Sequence, residues 1–193
     1  MLVNVHAHAQ AVRDYVSQCH NGVSVTLFEE SALLGSAGTL AANRKWVSSE
    51  PCFWVFYADV LTNINLLSML QFHRSQNTGT TIGVYRVPDP ERCGIVTVDD
   101  RKRVRQFVEK PAAPPGNLAF SGILIGDTDL LGAIPEGRPA DLGHDVLPKL
   151  IGNMSAYEVC DYMLDIGTFQ NYEIAQATWP GLPQGGGTLC SPE

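Results

Sequence analysis

Short runs rich in Val, Ile, Phe and Tyr alternate along the chain with longer stretches of helical periodicity. That alternation predicts layered α/β structure. Strands are expected at Leu2–Val5, 24–28 and 53–57. The third, F-W-V-F-Y, is the most hydrophobic run in the chain, so it is expected at the centre of a mixed, mostly parallel sheet. Further strands are expected at 80–85, Gly94–Val98, 104–108, 119–125 and 156–159. The stretch from 80 to 108 has only short turns and reads as antiparallel. Helices are expected over 10–19, 37–47, 65–75, 141–151 and Phe169–Thr178. Val12, Tyr15 and Val16 share a stripe of the first. Leu66, Leu67, Leu70 and Phe72 are the core candidates of the third, and Trp46 and Trp54 also read as core. From Pro180 onward the sequence loses periodicity and carries prolines and a Gly-Gly-Gly run. A domain over 1–179 followed by an irregular tail over 180–193 is therefore expected.

Composition narrows the function. The 193 residues suffice for one sizeable core, and 45% apolar with 17% charged content is that of a globular protein. Thirteen Lys and Arg against 20 Asp and Glu give a net charge of −7. An acidic chain is a poor non-specific nucleic-acid binder, because that affinity comes from neutralising phosphates. It can still hold a nucleotide if a metal ion and backbone amides meet the phosphates. The five cysteines are odd in number and form no C-x-x-C pair, which favours reduced thiols in a cytoplasmic protein over a disulfide framework or a zinc site. No apolar run approaches membrane-spanning length and the first residues do not read as a signal peptide, so no membrane partner is expected.

Four segments carry candidate chemistry. Residues 30–39, E-S-A-L-L-G-S-A-G-T, join a strand to a helix; small residues there let backbone approach a ligand, although local chemistry alone favours a plain turn. In Tyr57-Ala58-Asp59-Val60-Leu61 a carboxylate directly follows a buried strand, at the sheet edge where open α/β folds bind ligands. Asn63 rather than Asp59 is the expected cap of the next helix. In Phe107-Val108-Glu109-Lys110-Pro111 a strand ends on an acid and a base. Lys110 can meet a phosphate as a point charge, and Glu109 can accept bonds from sugar hydroxyls. Tyr162-Met163-Leu164-Asp165-Ile166-Gly167-Thr168 places another carboxylate at a strand end, with Thr168 able to cap the last helix. Asp59 and Asp165 could share one Mg²⁺, an ion that prefers a couple of carboxylates plus phosphate oxygens. His6 and His8 alternate on one strand face but have no third ligand nearby. The basic run 101–105 reads as a solvated hairpin edge.

Taken in order, L-L-G-S-A-G, Y-A-D-V-L, V-E-K-P and L-D-I-G-T followed by Y-E-I-A resemble the sugar-1-phosphate nucleotidyltransferases, and most of all their mannose- and heptose-1-phosphate guanylyltransferase members. The resemblance runs from about Leu2 to Ala177. It implies a three-layer α/β/α fold of the nucleotide-diphospho-sugar transferase kind (GT-A or Rossmann-like). It also implies a reaction of a nucleoside triphosphate with a sugar 1-phosphate to give a nucleotide-sugar and pyrophosphate. On that resemblance Gly35, Ser36 and Ala37 would bind the nucleotide, and Asp59 and Asp165 would hold Mg²⁺. Gly94, Glu109 and Lys110 would contact the sugar and its phosphate, and Ser121 and Gly122 would line the sugar pocket. Lys110, Asp59 and Asp165 would be the catalytic set, and a homodimer would be compatible with it.

The sequence departs from the family at its start, where members carry a strand and a glycine-rich G-x-G-T-R-L loop that holds the triphosphate. No such segment occurs in the 193 residues. This chain on its own is therefore expected to be inactive, or nearly so, as a nucleotidyltransferase. Ala58 stands where a Gly is usual, and Ser121 where Asn or Thr is frequent. Two alternatives follow. One is a catalytically silent relative that binds a nucleotide-sugar or a protein partner. The other is a glycosyltransferase of the same general fold, against which Asp59-Val60-Leu61 supplies no D-x-D.

Overall fold

A computed structural model describes residues 1–18 and 22–182. The main sheet has six strands: β3 (Phe53–Phe56), β5 (Thr80–Arg86), β6 (Gly94–Val98), β7 (Val104–Glu109), β8 (Leu118–Gly126) and β9 (Met154–Glu158). It is a mixed sheet. β3, β5, β6 and β9 run one way, and β7 and β8 run against them. Two small sheets flank it. β1 (Leu2–Val5) pairs in parallel with β2 (Thr26–Glu29), and β4 (Val60–Thr62) pairs antiparallel with β10 (Met163–Asp165).

The strand at the heart of the sheet is β8, whose residues alternate between two apolar layers. Leu124 packs with Ile82, Val84, Met154 and residues of α2 (Gly35–Ala42) and α5 (Thr128–Gly132). Ile123 and Ile125 face the other way, onto Met69 and Leu70 of α4 (Leu66–Ser75). Helices on both faces of one sheet make the expected three layers. The last helix, α6 (Phe169–Thr178), is capped by Thr168, whose hydroxyl accepts from the Asn171 amide at 3.2 Å.

Several local expectations are corrected. The F-W-V-F run is not central: among the described strands β3 pairs only with β8. An apolar run reports that a strand's faces are covered, and says nothing about whether both its edges are paired. The 37–47 helix is two pieces, Gly35–Ala42 and Arg44–Val47, broken at Asn43. The 141–151 helix is a π turn (Leu142–Val146) running into a 3₁₀ turn (Leu147–Leu150). Pro148, which lacks an N–H donor, explains why no regular helix continues there. Helix α4, capped by Asn65, buries Met69 and His73, while Leu66 and Leu67 are exposed, so its inward stripe is not the expected one. Asn63 instead accepts from the Tyr162 amide and donates to the Gly181 carbonyl, tying β4 to β10. Trp46 is half exposed rather than core. Cys52 and Cys93 carry free thiols, but Cys160 is disulfide-bonded, so the expectation of reduced thiols fails at that position. Cys19, Cys190 and most of the expected tail lie outside the described residues.

Candidate functional site

The principal cleft follows from how β8 is paired. β5 runs along the whole of one edge, from Thr80 opposite Gly126 to Arg86 opposite Leu118. The other edge is shared: β3 covers positions 123–126 and β6 begins at Ala119. Between the end of β3 and the start of β6, Phe120, Ser121 and Gly122 are left facing an open cleft of about 280 Å³. Gly122 is required there. Its φ is +75°, and a Cβ would lie 3.0 Å from both Tyr57 Cβ and Val60 Cγ2. Its carbonyl accepts from the Tyr57 amide at 2.9 Å, which fixes where the chain leaves β3 toward Asp59.

The two aspartates meet through the β4–β10 pair. Asp165 lies opposite Val60 in register, and the Ile166 amide donates to the Asp59 carbonyl at 2.7 Å. A Cβ placed on Gly167 would be 3.0 Å from Asp165 Oδ1 and 3.1 Å from Asp59 Oδ2. Even laid end to end, those distances keep the two oxygens within the roughly 8 Å that one hydrated ion can bridge. Neither carboxylate is in an ion pair among the described residues. The Gly167 amide donates to Asp165 Oδ1 at 2.8 Å and orients it. No group of three or more His, Cys, Asp or Glu side chains with metal-site geometry occurs among the described residues. An ion here would therefore have two protein carboxylates and open positions for other ligands, an all-oxygen set suited to a hard cation such as Mg²⁺.

The opposite wall comes from the β6–β7 hairpin. Gly94 pairs with Glu109, and the Lys110 amide donates to the Cys93 carbonyl at 3.0 Å. Two glycines make room for the Glu109 carboxylate: a Cβ on Gly94 would meet Oε2 at 2.7 Å, and one on Gly143 would come closer still. Burial pushes Glu109 above the usual glutamate range, with Asp141 nearby adding to the shift. Lys110 has φ +45°, a left-handed backbone uncommon for a residue with a side chain, and of a kind found at ligand sites.

Seven of the residues singled out from sequence thus line one cleft: Asp59, Gly94, Glu109, Lys110, Ser121, Gly122 and Asp165. Gly35, Ser36 and Ala37 do not. Ala37 is buried in the core, and its amide and that of Gly38 both donate to the Ala140 carbonyl. Gly35, at φ +77°, has no space for a Cβ against that same carbonyl. Ser36 touches the cleft only indirectly: its hydroxyl donates to Asp141 Oδ2 and accepts from the Leu142 amide, both at 2.8 Å. The Tyr57 hydroxyl, near Ser36, has its pKa pushed up to about 12, chiefly by burial. The small residues therefore clamp α2 to the π turn at 142–146. Sequence reasoning passed over Tyr57, Arg92, Cys93, Asp141 and Gly143, all of which line the cleft. Asp141 had a usable signal as the cap before the π turn, since it accepts from the His144 amide. A larger depression of about 570 Å³ borders Leu34, Arg44 and Pro139, but its only carboxylate is Glu136.

The fold is a three-layer α/β one in which carboxylates and a lysine converge at a gap in the sheet. The chain belongs to the nucleotidyl transferase family, whose model matches residues 1–179. It is 30% identical over 155 residues to a mannose-1-phosphate guanylyltransferase of Mycobacterium tuberculosis, covering 78% of this chain and 43% of that one. It is 33% identical over 156 residues to mannose-1-phosphate guanylyltransferase 1 of Arabidopsis thaliana, with the same coverage. The chain spans less than half the length of these curated relatives. The crystal structure of HddC from Yersinia pseudotuberculosis shares the fold, with a TM-score of 0.76 at 22% identity over 92% of this chain and 77% of that one. No described helix is long and apolar enough to cross a membrane.

Proposed function

We propose that the cleft is the sugar-phosphate and metal-binding part of a sugar-1-phosphate nucleotidyltransferase, an enzyme that transfers a nucleotidyl group from a nucleoside triphosphate to a sugar 1-phosphate. The observation that carries this reading is the convergence of Asp59 and Asp165 on one side of the cleft with Glu109 and Lys110 on the other. The similarity to guanylyltransferases of mannose 1-phosphate supports the substrate class.

In this reading Asp59 and Asp165 hold a Mg²⁺ ion, which would offset phosphate charge and align the reacting oxygens. Lys110 meets the sugar phosphate, and its left-handed backbone holds it at the cleft mouth. Glu109 accepts from sugar hydroxyls. The two glycines fix its carboxylate, so little ordering is left to be done on binding. Ser121 and Gly122 form the floor, where the absence of bulk leaves room for a sugar ring. Little covalent work falls to the protein in such a transfer; placement and charge carry it.

The 193 residues contain no G-x-G-T-R segment, and the Ala37 and Gly38 amides and the Ser36 hydroxyl are spent on the 140–142 turn. The chain by itself is therefore expected to bind sugar 1-phosphates and to release little or no pyrophosphate. The test mixes purified protein and Mg²⁺ with GTP, CTP, UTP, ATP or dTTP and a panel of hexose and heptose 1-phosphates. Binding is followed by calorimetry and turnover by pyrophosphate release. Sugar-phosphate binding without turnover is the expected result. Robust turnover would show that these residues hold the triphosphate unaided, and absence of any binding would refute the site.

A further inference from the structure

The cleft is lined by four carboxylates, Asp59, Glu109, Asp141 and Asp165, and by only two cations, Lys110 and Arg92. Such a lining repels a phosphate unless cations offset it, and beside a metal ion on Asp59 and Asp165 these two side chains are the ones the cleft offers. Arg92 is free: its guanidinium has no hydrogen-bond or ion-pair partner among the described residues, although four carboxylates line the same cleft. Arginines elsewhere in the chain find carboxylates at 2.6–2.7 Å, as Arg13, Arg105 and Arg138 do.

Its backbone is fixed. Arg92 ends a 3₁₀ turn (Pro90–Arg92) in which its amide donates to the Asp89 carbonyl and that of Cys93 to the Pro90 carbonyl. The bond from the Lys110 amide to the Cys93 carbonyl then ties the two basic residues to neighbouring strand ends on the same rim. A lysine supplies a point charge, whereas a guanidinium offers a planar fork that can take two oxygens of one phosphate. We propose that Arg92 is a second phosphate-binding residue of this cleft, acting with Lys110 on the phosphate of a sugar 1-phosphate. The inference rests on the function proposed above and deepens it, since the fork selects a terminal phosphate over an uncharged hydroxyl.

The test is calorimetric titration of mannose 1-phosphate, glucose 1-phosphate and the corresponding free sugars, with Mg²⁺, into the full chain and three variants. R92A should weaken the tightest sugar-1-phosphate complex about tenfold or more, the usual effect of losing a charge-assisted contact. It should leave free-sugar binding and the melting temperature unchanged. R92K should recover only part of the loss, because it restores charge without the fork. R101A removes the same charge at the far end of the hairpin and should change affinity less than twofold, which separates contact from general field. If the unaltered chain binds sugar 1-phosphates and R92A binds them equally well, this inference fails while the proposed function stands. A loss in R92A matched by R101A also overturns it. If the unaltered chain binds none of the sugar phosphates, both fall together.

Discussion

β3 and β8 invert what their sequences suggest. F-W-V-F is the more hydrophobic run, yet it lies at an edge and leaves Phe56 47% exposed. L-A-F-S-G-I-L-I-G is interrupted by Ser and two glycines, yet Leu124 is fully buried and β8 pairs on both edges. The interruptions are what make the difference useful. Ser121 and Gly122 fall where β3 has stopped and β6 has not begun, so the most buried strand opens a small-residue floor at its midpoint. Hydrophobicity reports burial of faces. Pairing of edges, and the gaps in it, decide where a ligand can reach the sheet.

That contrast can be broken by substitution. Leu124→Ala in β8 should cost about 2–5 kcal/mol, as for other fully buried leucines. Phe56→Ala in β3, half exposed at a free edge, should cost clearly less than truncation of a fully buried aromatic. Chemical denaturation of both variants checks this, and equal losses would mean that β3 is as enclosed as β8. Gly122→Ala comes next. Its positive φ and the contacts at 3.0 Å with Tyr57 and Val60 predict a loss of roughly 1–3 kcal/mol together with displacement of Asp59. Weakened Mg²⁺-dependent ligand binding, beyond the stability loss, is the sign to look for.

Lys110→Ala should reduce sugar-phosphate affinity about tenfold. Its side chain is exposed, so thermal melts should move little; an equal loss of stability would mark the residue as structural. The smallest effect concerns pH. Glu109 is raised above its unfolded value, so the folded state holds its proton more tightly. Folding is thus progressively penalised as pH rises from the ordinary glutamate range through the raised value, and the penalty is complete above it. Glu109→Gln removes that penalty. It should melt slightly higher than the unaltered chain at neutral pH, with the gap closing at pH 4. A gap that widens in acid would reverse the sign and contradict the burial argument.

The layered fold, most strands and the meeting of seven of the ten candidates in one cleft were legible in the sequence, because strand–carboxylate and strand–acid–base junctions mark where chains leave a sheet. Gly35, Ser36 and Ala37 lie outside this cleft for a physical reason. Small residues permit close approach, but sequence does not say by what, and here the approaching group is the chain's own turn at 140–142. Arg92 and Tyr57, two positions from Gly94 and Asp59, were missed because no strand–carboxylate or acid–base junction marks them, and Asp141 because its side chain is set by long-range packing. Asp141 in particular is held by Ser36, 105 positions earlier. The antiparallel β4–β10 pair, three residues in each strand, is too short to give a periodic signal, yet it is the element that brings Asp59 and Asp165 together.

The most direct test of this account is therefore aimed at that pair. Titration of sugar 1-phosphates into the unaltered chain and into Asp165→Asn, each with Mg²⁺ and with EDTA, measures whether the two carboxylates make one metal-dependent ligand site. The account expects binding to the unaltered chain that EDTA abolishes. In the Asn variant that metal-dependent binding should be absent, with the melting temperature preserved. Binding that survives both EDTA and the substitution would contradict it.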